Sequence, residues 1–161
     1  MKSRLKDAKN LFLVGIKGVG MSALAQILKA RGYSVTGWDE KEAFFTDAIL
    51  ERFNISYKQG SIKKLPEAVD LAIYSQAYPE DHFVRKLIAK RPIQEAGYPD
   101  VVAELFNRSF GVLVSGSHGK STTTAMIVDI LEEASLDPSA VVGSLRTRTG
   151  SNYRHGSSKY F

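Results

Sequence analysis

The sequence predicts an α/β fold built on a doubly wound parallel sheet, on three observations. Short apolar runs of strand length alternate with segments of helical period. Two glycine-rich stretches each stand between such a run and such a segment. The alternation also restarts once, after residues 107–109. Alternation of this kind places parallel strands in the middle and helices on both faces.

The elements follow in order. Residues 11–15 (L-F-L-V-G) have the length and apolarity of a buried strand. In residues 21–31 the helical period sets Leu24, Ile27, Leu28 and the stem of Arg31 on one face. Gly32 then stops the helix as a C′ glycine. Residues 33–38 read as a second strand, 44–53 as a helix, 71–74 as a third strand and 82–90 as a helix. A weaker strand at 92–95 precedes a helix at 100–106. After the restart, 111–115 reads as a strand and 122–134 as a helix. Met126, Ile127, Ile130, Leu131 and Ala134 are expected inward on that helix, and Asp129, Glu132 and Glu133 outward. Residues 143–161 are rich in Gly, Ser, Thr and Arg without a clear period, and 158–161 look like the start of a strand. The expected boundary near 107–110 divides the chain into residues 1–108 and 109–161. The second part is small for an independent nucleotide-binding domain, so the sequence reads as a fragment whose second domain is cut short.

Composition narrows the function. With 161 residues, 43% hydrophobic and 24% charged, the chain is neither disordered nor low-complexity. The absence of cysteine excludes disulfide scaffolds, thiolate metal sites and cysteine nucleophiles. No apolar run approaches the ~20 residues of a membrane span, and residues 11–15 are too short for a signal-peptide core. A cytoplasmic protein without a membrane partner is therefore expected. The net charge of +5 suits anionic ligands. Its Lys and Arg residues are scattered without a long run, which reads as a solvated surface; the two glycine loops make a nucleotide-binding site, not nucleic acid, the better functional reading.

The first glycine stretch, G-I-K-G-V-G at residues 15–20, follows a strand and opens a helix. Glycines there let backbone N–H groups approach a diphosphate at a helix N-terminus. Gly15 and Gly20 fit the dinucleotide fingerprint, but Lys17 stands where its middle glycine would be. Asp39, 19 residues after Gly20, has the placement of an acid that bonds a ribose hydroxyl. The alternatives are a turn without ligand and a simple strand-end Asp39.

The second stretch, S-G-S-H-G-K-S-T-T-T at residues 115–124, has the strand-to-helix context of a phosphate loop. Gly116 and Gly119 turn amides toward phosphates. Lys120 adds a point charge at the β- and γ-phosphates, and Ser121 offers a hydroxyl to Mg²⁺. Val114 stands where the longer form of the motif has a glycine. His118 lies in the loop, placed to approach phosphate or substrate. His82 reads as a surface residue at a helix start, and His155 carries no assignment. The three are too dispersed for a metal site. Trp38 and the tyrosines read as packing rather than as base-stacking groups.

Together the two loops resemble those of the Mur ligases, the ATP-dependent enzymes that assemble the peptidoglycan stem peptide. The residues that carry the likeness are G-I-K-G-V-G-M-S at 15–22 and G-S-H-G-K-S-T-T-T at 116–124. They are joined by V-T-G-W-D at 35–39, Y-S-Q-A at 74–77 and the stretch 143–161. His118 points to the branch of the family that joins L-alanine to UDP-N-acetylmuramate. Lys17, Ser117, Trp38 and Ser144 depart from the family's usual residues. The resemblance implies a Rossmann-like UDP-sugar-binding domain followed by the start of a P-loop ATPase domain, with ATP and Mg²⁺ as cofactors. It implies that Gly116, Ser117, His118, Gly119, Lys120, Ser121 and Thr122 bind ATP, with Lys120 catalytic and Ser121 the metal ligand. Gly15, Gly18, Gly20, Asp39 and Ser75 would hold the UDP moiety. A NAD(P)- or flavin-binding Rossmann protein explains only the first loop, and a P-loop kinase only the second.

Overall fold

The computed structural model describes residues 4–161. Five parallel strands form the central sheet: β1 (Asn10–Val14), β2 (Ser34–Asp39), β3 (Ser56–Gln59), β4 (Leu71–Tyr74) and β5 (Gln94–Gly97), in the order β3-β2-β1-β4-β5. Four helices connect and cover them: α1 (Val19–Ala30), α2 (Thr46–Arg52), α3 (Phe83–Ala89) and α4 (Tyr98–Asn107). The expected doubly wound sheet is present.

β1 is apolar throughout because it is buried on both faces. Successive residues alternate between two cores. Leu11 and Leu13 pack with Leu24, Ile27 and Leu28 of α1 and with Leu105 of α4. Phe12 and Val14 pack with Trp38, Ala72, Val84 and Ile88 on the opposite face. Trp38 is fully buried and donates its indole N–H to the Gly60 carbonyl at 2.5 Å, so it packs as expected. Arg31 departs from expectation: it caps α1 in solvent, and the helix stops at Gly32, whose φ is +89°. The edge strand β3 was not anticipated. Its S-Y-K-Q sequence is polar and mostly exposed.

The second part of the chain differs more. Residues 111–115 do not form the expected strand. Phe110 pairs only with Tyr160, so the ladder is one bridge long and Leu113 stays 80% exposed. The helix α5 (Lys120–Glu133) is present, but its faces are not as expected. Met126, Ile130 and Ala134 are exposed, Ile127 and Leu131 are half-buried, and Val128 is the buried position. The tail is ordered as an antiparallel, bulged hairpin of β6 (Ala140–Arg146) and β7 (Ser151–Arg154). Of the expected strand at 158–161, only the Tyr160 bridge forms.

Charge explains the altered faces of α5. Arg146 of β6, buried, bonds Asp129 and Glu132, and Arg154 of β7 bonds Glu132 and Asp137. The supposedly outward carboxylates thus clamp the hairpin to α5. The Arg146 hydrogen bond is the main influence holding the Glu132 carboxyl below its ordinary value. Hydrogen bonds from Ser157, then Arg154, hold Asp137 well below its own. A carboxylate depressed on folding stabilises the fold above its unfolded pKa, about 4, and that stability is lost as pH falls through the folded value. Glu132→Gln should therefore lower stability at pH 7 by about 1.5–3 kcal/mol, the usual worth of a hydrogen bond to a charged group. The gap to wild type should narrow as pH falls below the ordinary glutamate range and Glu132 itself protonates. Thermal melts of both proteins across pH 2–7 check it, and a gap unchanged at pH 2 contradicts it.

Candidate functional site

In strand order β3-β2-β1-β4-β5, the chain reverses direction between β1 and β4. Ligands of open α/β sheets bind outside the carboxyl ends of the strands at such a switch point. The first glycine loop leaves β1 there, and residues 75–78 leave β4 beside it. Between them lies a cleft of about 250 Å³ lined by Gly18, Gly20, Ser75, Gln76 and Tyr98 among others. Gly18 is the N-cap of α1, and Gly20 is the helix's second residue. The structure thus brings Gly18, Gly20 and Ser75 together at one mouth.

Gly15 sits behind that mouth, with φ +82°, in contact with Tyr78 and Ser75. A Cβ at Gly15 would stand 2.5 Å from the Tyr78 ring, so glycine is required on both counts. Ser75 donates its backbone N–H to Val14 O at 3.0 Å, which fixes the β4 turn against the end of β1.

Asp39 ends β2 as expected, but its carboxylate is turned to the protein. It is buried and accepts from Lys17 N at 2.6 Å, Glu40 N at 2.8 Å and the Tyr78 hydroxyl at 2.8 Å. Burial and the bond to Asp39 push the Tyr78 phenol upward, which keeps it a donor. The acid at the end of β2 therefore ties the glycine loop to the β4 turn. Lys17 accounts for the missing middle glycine. Its side chain is wholly buried, runs away from the cleft, donates to the Glu42 carbonyl and pairs with Asp47 at 3.7 Å. Only its backbone belongs to the loop. Tyr78 and Tyr98 were not singled out in the sequence, since an isolated tyrosine after a strand or at a helix start carries no distinguishing pattern.

The second loop, residues 115–119, leads into α5. Gly116 and Gly119 have φ of +149° and +75°, and Gly119 is the N-cap. Lys120 is the first helical residue. Its ammonium folds back to donate to the carbonyls of Gly116 at 2.7 Å and Ser117 at 3.0 Å. Ser117, His118, Lys120 and Thr122 are exposed, and Ser121 is half-buried, its hydroxyl against Gly143 of β6. The opening N–H groups of a helix have no intrahelical partner. With the Lys120 charge beside them, they fit a polyphosphate. Among the described residues no group of three or more His, Cys, Asp or Glu is arranged to hold a metal ion. His82 is no plain surface residue: it caps α3 by accepting from Val84 N and packs against Trp38 and Tyr78. His155 is exposed.

The fold is a doubly wound α/β sheet with one glycine loop between β1 and α1 and a second glycine loop opening α5. Over residues 11–110 the sequence matches the family described as "Mur ligase family, catalytic domain". The chain belongs to the Mur ligase family. It is 40% identical over 149 residues to a UDP-N-acetylmuramate–L-alanine ligase from Borreliella burgdorferi, covering 89% of this chain and 32% of that protein. It is 40% identical over 153 residues to the enzyme of the same name from Desulfitobacterium hafniense, covering 94% of this chain and 34% of that one. The chain thus spans about a third of the length of the curated relatives it matches. A crystal structure of a UDP-N-acetylmuramate-alanine ligase from Thermotoga maritima superposes with a TM-score of 0.83 at 24% identity, over 94% of this chain and 36% of that one. That likeness is one of fold. The family model ends before the second loop, and the alignment to the Desulfitobacterium hafniense enzyme, over 94% of this chain, spans both loops. No helix among the described residues is long and apolar enough to cross a membrane.

Proposed function

We propose that the chain is the N-terminal part of a cytoplasmic, ATP-dependent ligase that joins L-alanine to UDP-N-acetylmuramate through an acyl-phosphate. The observation that carries the reading is the presence of two glycine loops, one at a switch-point cleft and one at the mouth of α5, in a chain of this family. Residues 1–108 would form the UDP-sugar-binding domain and residues 109–161 the opening part of the ATP-binding domain. Gly18, Gly20 and Ser75 would receive the diphosphate, with Gly15 and Asp39 holding the loop in shape behind them. Residues 116–122 would bind ATP.

The chemistry gives each group a task. A carboxylate repels nucleophiles and has no leaving group, and transfer of a phosphoryl group to it supplies one. The amine of alanine then displaces phosphate. Lys120 would offset charge on the transferring phosphoryl group. Mg²⁺, when bound, would neutralise charge on the phosphate oxygens, and the Ser121 hydroxyl would be its ligand from this loop. His118, exposed in the loop, would face phosphate or substrate.

Titration of UDP-N-acetylmuramate against the 161-residue chain tests the reading. Heat of binding with a measurable Kd is expected, without NAD binding. No heat at millimolar ligand, with the domain folded by circular dichroism, would sink it. Binding without turnover is also expected, because no acidic cluster that could hold a metal is present among the described residues. Phosphate release dependent on Lys120 and on both other substrates contradicts that expectation.

A further inference from the structure

We infer that Asn152 is a positioning residue that couples the two loops, an inference that rests on the function proposed above. Asn152 is fully buried in β7. Its Nδ2 donates to the Val19 carbonyl at 2.6 Å and to the Ser22 hydroxyl at 3.2 Å, and its Oδ1 accepts from Gln26 Nε2 at 3.2 Å. Gln26, also buried, donates to Ser22 O at 2.9 Å and accepts from the Ser151 hydroxyl at 3.4 Å. Val19 and Ser22 lie in the first turn of α1, beside Gly18 and Gly20, and Gln26 lies one turn further along the helix.

The same hairpin reaches the other loop. β7 pairs with β6 through Val141 and Tyr153, and Gly143 of β6 lies against Ser121. A Cβ at Gly143 would stand 2.7 Å from the Ser121 hydroxyl oxygen, so any side chain there would turn that hydroxyl away from the strand. One hairpin therefore touches the opening turn of α1 on one side and the opening turn of α5 on the other.

A buried amide costs free energy unless all its bonds are made. An apolar residue at 152 would bury as well but would not dictate which backbone carbonyl of α1 it meets. The amide does dictate it, so it fixes the register of the hairpin on α1 and, through Gly143, the relation of the diphosphate cleft to the phosphate loop. A ligand that orders one loop then favours the arrangement the other ligand needs.

Coupling between two sites is reciprocal, and calorimetry on the 161-residue chain reads it. UDP-N-acetylmuramate is titrated with and without the Mg²⁺ complex of a non-hydrolysable ATP analogue, and the analogue with and without the UDP-sugar. In the wild-type chain each ligand should tighten the other by the same factor, about fivefold or more. Asn152→Ala should leave each separate affinity within about threefold while the factor falls below about two. Gln26→Met keeps the volume and removes the amide from the α1 side. It should behave alike, and it carries the test if Asn152→Ala fails to fold. A simple loss of stability would lower the melting temperature without changing the coupling factor. A factor undiminished in Gln26→Met overturns the inference and leaves the proposed function standing. So does a wild-type chain that binds both ligands with no coupling. A wild-type chain that fails to bind one of them overturns the proposed function, and the inference with it.

Discussion

Gly20→Val should abolish UDP-N-acetylmuramate binding while the five-stranded sheet stays folded. The two effects separate because Gly20 is placed where a side chain meets one ring and not the core. A Cβ built there would stand 2.8 Å from the Tyr98 hydroxyl and 2.9 Å from the ring carbon that bears it. Tyr98 opens α4 and lines the same cleft as Gly18 and Ser75. Valine would drive the ring into the cleft, an overpacking cost of about 1–3 kcal/mol. Removing a glycine from a helix returns up to about 1 kcal/mol, so the fold survives. Binding does not. A diphosphate that loses two charge-assisted contacts with the loop amides loses about 3–6 kcal/mol, a factor on the order of 10²–10⁴ in Kd. Calorimetry of the variant measures it. If the ring is the cause, Gly20→Ala/Tyr98→Ala should bind better than Gly20→Ala alone. Affinity within tenfold of wild type in Gly20→Val would remove this cleft from the proposed site.

What the sequence made legible, and what it did not, follows from where each element keeps its free energy. β1, β2, β4 and α1 bury apolar side chains, and burial leaves a period in the residues. β3 is an edge strand whose S-Y-K-Q residues mostly face water, so no period marks it. The β6–β7 hairpin is fixed by Arg146, Arg154, Asn152 and Ser151 through hydrogen bonds to α5 and α1, and polar residues in a bulged strand look like loop. The reverse error befell residues 111–115: V-L-V has strand composition, but a strand exists only as part of a ladder, and here a single bridge is available. On α5 both faces carry apolar residues, so the period alone did not decide which one is covered. In the candidate site, the glycines of both loops could be read because their backbone geometry restricts the residue type. The partners of Asp39 could not, since Lys17 and Tyr78 lie 22 and 39 residues from it and meet it only through the fold.

Lys120→Ala should weaken binding of the Mg²⁺–ATP analogue about 10- to 150-fold, the loss of one charge-assisted hydrogen bond worth about 1.5–3 kcal/mol. UDP-N-acetylmuramate affinity measured alone should stay within about threefold. The geometry supports both halves. The ammonium is already drawn into the concavity of the loop by the Gly116 and Ser117 carbonyls, so it meets a phosphate without a search through rotamers. Those carbonyls belong to exposed residues, and water replaces the ammonium when it is removed, so the loop and α5 need not unfold. The UDP-sugar cleft belongs to α1 and β4, and Lys120 does not line it. Lys120→Arg should also fail, because a planar guanidinium fork cannot occupy the place of a compact ammonium between two carbonyls of one tight turn. In a complete ligase carrying this loop the loss would be larger at the transition state, about 3–4 kcal/mol, or 10²–10³ in rate, because charge grows on the transferring phosphoryl group. The decisive comparison is made on one preparation, with nucleotide and UDP-sugar titrated separately. Nucleotide affinity within threefold of wild type in Lys120→Ala would show that residues 116–122 are not a phosphate loop. Loss of both affinities with altered circular dichroism would show that Lys120 holds the fold instead, through the same two carbonyls.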